Sequence, residues 1–213
     1  MPPGDGVAIV GTRHPTRFGC VFADAAAKSA HQAGLAVISG LAAGIDTAAH
    51  KSALSAGAPS WAVIGSGVDV PTPIANTALA EEILASGGGL LAEVPPGTAV
   101  SRRSLLARDR IQSGLSLAVV VCQCEISSGA MHTARFAVVQ QKLLIVARPR
   151  GPEARRESSS GNLALVDPAG CDPGLLAADG QIAALLESRR PVADIIVGSP
   201  EELAALWERL RPG

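Results

Sequence analysis

Short apolar runs alternate with helix-like segments along most of the chain. Strands are predicted at VAIV (7–10), AVIS (36–39), WAVI (61–64), LLAE (90–93), LAVVVC (117–122) and LLIVA (143–147). Segments rich in Ala, Leu, Glu and Gln predict helices over residues 21–33, 46–56 and 76–86. Continuous apolar strands separated by helices are typical of a parallel sheet that is covered on both faces. The pattern therefore predicts an α/β, Rossmann-like doubly wound fold with a mostly parallel sheet.

The last part of the chain predicts a smaller extension of the sheet. Residues 148–162 are rich in Pro, Gly, Ser and Arg, which favours a mobile loop. Beyond this loop we predict a helix over 175–190, a strand over 194–198 and a final helix that starts after the N-cap Ser199. Pro200 suits the first helical turn and Glu202 stands at the capping-box position.

The composition predicts one cytoplasmic domain with an appendage. Of the 213 residues, 47% are hydrophobic and 17% charged, and no apolar run is long enough to span a bilayer. The first residues lack the basic start and apolar stretch of a secretory signal. We expect a core domain over residues 1–170 and an α/β extension over residues 171–213 that packs on it. The cysteines are Cys20, Cys122, Cys124 and Cys171. Their spacing favours reduced thiols over a metal site, so no metal is predicted.

The charge is distributed unevenly although the net charge is only -1. Residues 1–160 hold 14 Lys and Arg against 11 Asp and Glu, whereas residues 161–213 hold 4 against 8. The arginines cluster in three places: Arg13 and Arg17; Arg102, Arg103, Arg108 and Arg110; and Arg148, Arg150, Arg155 and Arg156. Clustered positive charge on loops favours a local anion site in a protein that is neutral overall.

Glycine-bearing loops follow four of the predicted strands, with the sequences GTRHPTRFG, SGLAAGID, GSGVD and CQCEISSGAMHTA. Glycine allows a ligand to approach the backbone closely, and the N-terminus of a following helix offers free N–H groups to a phosphate. The GSGVD loop lacks the remaining glycine and the later acidic residue of a dinucleotide fingerprint, so neither NAD nor another cofactor is predicted.

These loops and the basic run supply the candidate phosphate-binding residues. They are Gly11, Thr12, Arg13, Ser39, Gly40, Gly44, Gly65, Arg108, Arg110, Ser127, Ser128, Gly129 and Thr133. Two of them have structural alternatives: Arg13 as the ion-pair partner of Asp46 or Glu93, and Ser128 as a plain helix cap. Asp46 and His50 lie on the same face of a predicted helix. We favour a structural role for this pair, with Asp46 as the N-cap and a buried contact between helix and sheet, over a catalytic one. No catalytic residue is predicted.

Six stretches carry a family resemblance. IVGTRHPTRFG, VISGLAAGIDTAAHKSALSAGA, AVIGSGVDVPTPIAN, GGGLLAEVPPGT, RDRIQSGLS and SSGAMHTARFAV follow one another as they do in the DNA-processing protein A (DprA/Smf) family. The resemblance implies a bacterial, cytoplasmic, Rossmann-type protein that binds single-stranded DNA, protects it during natural transformation and helps to load the RecA recombinase. It also implies a homodimer, for which we expect LAVVVCQC and LLIVA to lie near an exposed face. Arg13 and the arginines of RDR would contact backbone phosphates.

The chain departs from this family's pattern at the basic run. Leu105 and Leu106 stand where the family typically has Phe-Pro, and Asp109 stands for Asn. With no Tyr in the chain, and with Phe18, Phe22, Phe136, Trp61 and Trp207 as its aromatics, base stacking is limited and binding should rest on phosphates. Two alternatives use the same pocket, namely a nucleotide sensor and a phosphoribohydrolase-like enzyme. The enzyme is disfavoured because Phe136 stands where a glutamate would fall.

Overall fold

The computed structural model describes residues 5–170, 179–188 and 191–210. The strands are β1 Gly6–Gly11, β2 Ala36–Ser39, β3 Ser60–Ile64, β4 Gly89–Ala92, β5 Ala118–Gln123, β6 Leu143–Ala147 and β7 Ile195–Val197. The helices are α1 Arg17–Gln32, α2 Ile45–Ser55, α3 Thr77–Ala85, α4 Arg102–Gly114, α5 Gly129–Val139, α6 Ser160–Val166, α7 Gly180–Ser188 and α8 Pro200–Leu210.

The strands form one parallel sheet with the order β4-β3-β2-β1-β5-β6-β7. This confirms the predicted fold class and places the loops that follow the strands along one edge. The chain runs outward in one direction from β1 to β4 and in the other from β5 to β7. The carboxyl ends of β1 and β5 therefore flank the point where the strand order reverses, which is where doubly wound proteins bind ligands.

The central strands are apolar on both faces because helices cover both. In β1, Val7 and Ile9 pack with Phe22 in one core layer. Ala8 and Val10 point the other way and join the layer around Met131. This two-sided burial explains why the strands read as unbroken apolar runs.

The structure differs most from the prediction at the basic run over residues 101–114. We expected Arg108 and Arg110 on a loop, but they lie on α4. Ser101 caps this helix by accepting a hydrogen bond from the Ser104 backbone N–H at 3.0 Å. No helix was predicted here because the run contains few apolar residues. Charged residues, Arg108 and Asp109, occupy buried positions on this helix instead.

The expected dimer surface is also wrong. The stretches LAVVVCQC and LLIVA supply β5 and β6, which lie inside the sheet, and almost every residue of these strands is buried. Apart from Leu117, which precedes β5 and is exposed, these stretches offer no exposed face to a second copy.

The segment 148–162, predicted to be a mobile loop, forms 3-10 turns over Gly151–Arg155 and Glu157–Ser159 and then the start of α6. Farther along, β7 pairs with β6 in register Ile145 to Ile195. The Ser199 hydroxyl accepts a hydrogen bond from the Glu202 N–H at 3.3 Å, in keeping with its predicted capping role.

Parts of three predictions lie outside the described residues: Cys171, the first four residues, and both ends of the helix expected over 175–190. Within the described part of the chain, no helix is long and apolar enough to cross a membrane. The same residues contain no group of His, Cys, Asp and Glu side chains that could hold a metal ion. Cys20, Cys122 and Cys124 are free thiols.

Candidate nucleic-acid interface

A cleft of about 380 Å³ opens where β1 and β5 end side by side. Its walls are the turn after β1, the buried face of α4 and the first turns of α5. Of the thirteen predicted phosphate-binding residues, the structure brings eight together here: Gly11, Thr12, Arg13, Arg108, Ser127, Ser128, Gly129 and Thr133. We call this space the β1–β5 cleft.

The turn after β1 holds Arg13 out over the cleft. The Thr12 N–H donates to the Gln123 carbonyl at 2.7 Å, and the Thr12 hydroxyl accepts from the His14 N–H at 3.2 Å. These bonds fix the backbone on both sides of Arg13. The Arg13 side chain is exposed and makes no hydrogen bond or ion pair with the described residues. Its guanidinium is therefore available to an anion, and the alternative pairings with Asp46 and Glu93 are not made.

The start of α5 forms the opposite wall. Ser128 stands at the N-cap position, but its hydroxyl makes no capping hydrogen bond, so the simple capping role is not observed. Ser127 and Gly129 beside it are exposed. The first backbone N–H groups of this helix consequently face the cleft together with the partial positive charge of its N-terminus.

Arg108 lies beneath the cleft and is held by internal partners. Its Nη1 donates to the Val63 carbonyl at 2.6 Å, and its Nε lies 2.9 Å from Asp109 Oδ1. The Gln112 amide, turned so that its oxygen faces them, accepts from Arg108 Nη1 at 3.0 Å and from the Gly40 N–H at 2.8 Å. Since only 8% of Arg108 is exposed, the residue belongs to the floor and does not reach out as predicted.

Two buried carboxylates compensate Arg108. Asp46 accepts from the Gly40 N–H at 3.1 Å and from the Ala42 N–H at 3.3 Å. Burial raises the pKa of Asp46, although the nearby Arg108 opposes this shift. Burial also raises the pKa of Asp109 to about 7, against the lowering effect of Arg108 and with a further increase from Asp46. The cleft floor therefore holds one permanent cation and a carboxyl group that titrates near neutrality.

Asp46 and His50 do not form a pair. Helix α2 has Gly44 at its N-cap position, so Asp46 is not the cap, and its carboxylate turns back to the preceding loop. His50 Nδ1 lies 2.7 Å from the Ser60 hydroxyl, and burial lowers the pKa of His50 to about 3. This histidine is neutral and packs inside the protein.

The other five predicted residues lie outside the cleft lining. Ser39 is fully buried and donates to the Ile9 carbonyl at 2.6 Å. Gly40 packs directly against the Arg108 guanidinium, and Gly65 packs against Leu105. Gly44 lies against the backbone of Thr12 and Arg13. Arg110 is exposed but pairs with Glu93. The glycines thus build the walls through close packing, and Arg110 points elsewhere.

Several lining residues were missing from the predicted set: His14, Arg102, Leu105, Leu106, Glu125 and His132. Arg102 belonged to the recognised basic cluster, and its position in the first turn of α4 brings it to the cleft. It is exposed and has no hydrogen bond or ion pair within the described ranges. Among the described residues, no Phe or Trp side chain lines the cleft, and Leu105 and Leu106 occupy its wall.

A sequence profile described as DNA recombination-mediator protein A matches residues 3–170. The chain belongs to this family. Protein Smf of Synechocystis is 42% identical over 132 residues, which cover 62% of this chain and 33% of that protein. The DNA processing protein DprA of Streptococcus pneumoniae is 36% identical over 132 residues, which cover 62% of this chain and 46% of that protein. The chain therefore spans less than half the length of these family members.

Solved structures agree with the family assignment. The structure of DNA processing protein A from Helicobacter pylori, described with its single-stranded DNA binding mode, has a TM-score of 0.75 at 26% identity, covering 99% of this chain and 83% of that one. The protein from Streptococcus pneumoniae has a TM-score of 0.70 at 27% identity, covering 94% and 61%. A molybdenum cofactor binding protein from Rippkaea orientalis shares the fold alone. Its TM-score is 0.57 at 16% identity, covering 99% of this chain and 98% of that one.

Proposed function

We propose that this chain binds single-stranded DNA in the β1–β5 cleft, without catalysis, by holding backbone phosphates. The observation that carries the proposal is the convergence of three anion-binding elements on one space. They are the guanidiniums of Arg13 and Arg102, which have no partner among the described residues, and the N-terminus of α5, which has no side-chain cap. Arginine binds phosphate with two parallel hydrogen bonds, and a helix N-terminus adds N–H donors.

The relatives support the same ligand. The Helicobacter pylori protein is described with single-stranded DNA, and it covers nearly the whole of this chain. A cleft that holds phosphates without reading base edges predicts binding that tolerates any sequence. From the family resemblance we also propose a role in DNA uptake and recombination in the cytoplasm, with RecA as a partner and a homodimer as the assembly.

Arg13→Ala and Arg102→Ala should each weaken binding to oligo-dT. Each change removes one guanidinium from a phosphate, so the slope of log K against log salt should fall by roughly 0.7 per lost contact. Both side chains are exposed, so the melting temperature should stay unchanged. The measurement is a fluorescence-anisotropy titration at several salt concentrations.

Arg103→Ala is the matched control, because Arg103 is an exposed neighbour on α4 that does not line the cleft. It changes the net charge equally and should lower the affinity much less. Equal effects of all three changes would show a diffuse charge effect and contradict the cleft assignment. Competition by thymidine monophosphate at the affinity of the oligomer would instead indicate the nucleotide sensor.

Asp109→Asn should strengthen oligo-dT binding, and more so in alkaline solution. The pKa of Asp109 is raised to about 7, so its carboxyl is mostly neutral below that pH and negative above it. Removing a negative charge from beneath a phosphate should improve the affinity about threefold to tenfold at about pH 8 and little at about pH 6. His14 and His132 also line the cleft and are unchanged in the variant, so they contribute equally to both proteins in the comparison. An equal gain at both pH values would refute the assignment.

A further inference from the structure

A second, larger cavity adjoins the β1–β5 cleft. Its volume is about 600 Å³, within the range of roughly 300–1,000 Å³ typical of ligand pockets. The two spaces share one wall, made by Arg102, Glu125, Ser127, Ser128 and His132. A strand that crosses this wall would pass from one space into the other. We call the second space the Arg155 cavity after the arginine on its far side.

The lining of this cavity differs from that of the cleft. Ile126, Ala154, Leu163 and Ile182 make an apolar surface inside it. The charged side chains around them have both signs, with Arg102, Arg155 and Arg156 against Glu125, Glu157 and Asp179. Three carboxylates disfavour a phosphate. An apolar surface within a ring of donors and acceptors suits a flat, neutral heterocycle.

The outer wall is fixed in place before any ligand arrives. The Thr16 hydroxyl donates to Glu153 Oε2 at 2.9 Å, and Gln123 Nε2 donates to the hydroxyls of Ser158 and Ser159 at 3.1 Å each. These bonds tie the 3-10 turns to the start of α1 and the end of β5. A cavity with an ordered wall costs less to fill.

Arg155 is the polar group best placed to meet a base. Arg156 is bound to Glu153, with 3.2 Å between Nε and Oε1, and His132 lies 3.6 Å from Asp179. Arg155 is exposed and has no hydrogen bond or ion pair among the described residues. A guanidinium plane stacks on nucleobases much as an aromatic ring does.

We propose that the Arg155 cavity takes a nucleobase of the strand whose phosphate lies in the β1–β5 cleft. This inference rests on the proposed function. The base would lie on the apolar surface with Arg155 over it. Arginine and aliphatic side chains would then supply the base contact that the chain's scarce aromatic residues do not.

The test compares a dT dodecamer with a fully abasic dodecamer of the same backbone. We expect the protein to bind the dT oligomer about tenfold more tightly, the size of a single good base contact. Arg155→Ala and Leu163→Ser should remove most of this preference and leave the affinity for the abasic oligomer unchanged. Arg13→Ala should weaken both oligomers by the same factor.

Arg148→Ala is the control for lost charge, since Arg148 is exposed and lines neither space. It should preserve the preference for bases. Equal affinity of the unmodified protein for both oligomers would overturn the inference and leave the proposed function intact. Equal weakening of both oligomers by Arg155→Ala would also overturn it, because Arg155 would then be a phosphate contact. Binding of neither oligomer would reject the proposed function itself.

Discussion

Replacing Arg108 with alanine should lower the free energy of unfolding by about 3–5 kcal/mol, because it leaves two carboxylates buried without their cation. Asp109 lies 2.9 Å from Arg108 Nε, and Asp46 is the other acid that its charge compensates. The Val63 carbonyl also loses its donor. We expect oligo-dT binding per folded molecule to weaken by no more than about threefold to tenfold, the size expected for one charge on the cleft floor, because only 8% of Arg108 is exposed. Urea unfolding and a titration on the same samples measure both effects.

Two variants check the cause of this loss. Arg103→Ala on the exposed face of α4 should change the stability by less than about 0.5 kcal/mol. Adding Asp109→Asn to Arg108→Ala should restore part of the stability, because one of the two stranded carboxylates is then neutral at every pH. If Arg108→Ala instead preserved stability and abolished binding, Arg108 would be a direct phosphate ligand, as the sequence first suggested.

Gly44→Ala is the second change for which we expect a large effect. Gly44 has φ of +82° at the start of α2, a conformation that L residues rarely adopt. A Cβ there would clash with the Thr12 carbonyl oxygen and lie 2.6 Å from the Arg13 carbonyl carbon. Since both contacts are backbone atoms of the turn that presents Arg13, the turn has to move. We expect a loss of about 3 kcal/mol or more in unfolding free energy, together with weaker oligo-dT binding by the folded fraction.

Gly57→Ala is the control that separates the strain of a positive φ from the steric clash of a Cβ with neighbouring atoms. Gly57 also has a positive φ, +77°, but a Cβ there would meet no atom within 4 Å. This substitution should lower the free energy of unfolding by only about 1–2 kcal/mol and leave oligo-dT binding unchanged. If both substitutions lowered the free energy of unfolding equally, the close approach of Gly44 to the turn that holds Arg13 would not contribute to stability.

The architecture was predictable because it depends on local patterns. An apolar run such as 143–147 can be recognised from the sequence alone, and the structure has a strand at the same residues. Helix α2 starts within one residue of its predicted position. Helix α4 was missed because its buried residues are all polar or charged, and a hydrophobic pattern assigns such residues to the surface: Arg108, Asp109, Gln112 and Ser113. A helix that buries charge leaves no periodic signal.

By itself, the sequence determined the parallel sheet, the edge that carries the loops and the family, since ordered motifs and short-range periodicity encode all three. The tertiary structure alone decided which arginines are free. Arg13, Arg108 and Arg110 look alike in the sequence. Only the folded chain brings Asp46 and Val63 to Arg108, and Glu93 to Arg110, while leaving Arg13 unpaired within the described residues. The physical reason is that a charge is buried or available according to neighbours far away in the sequence, and packing assembles those neighbours.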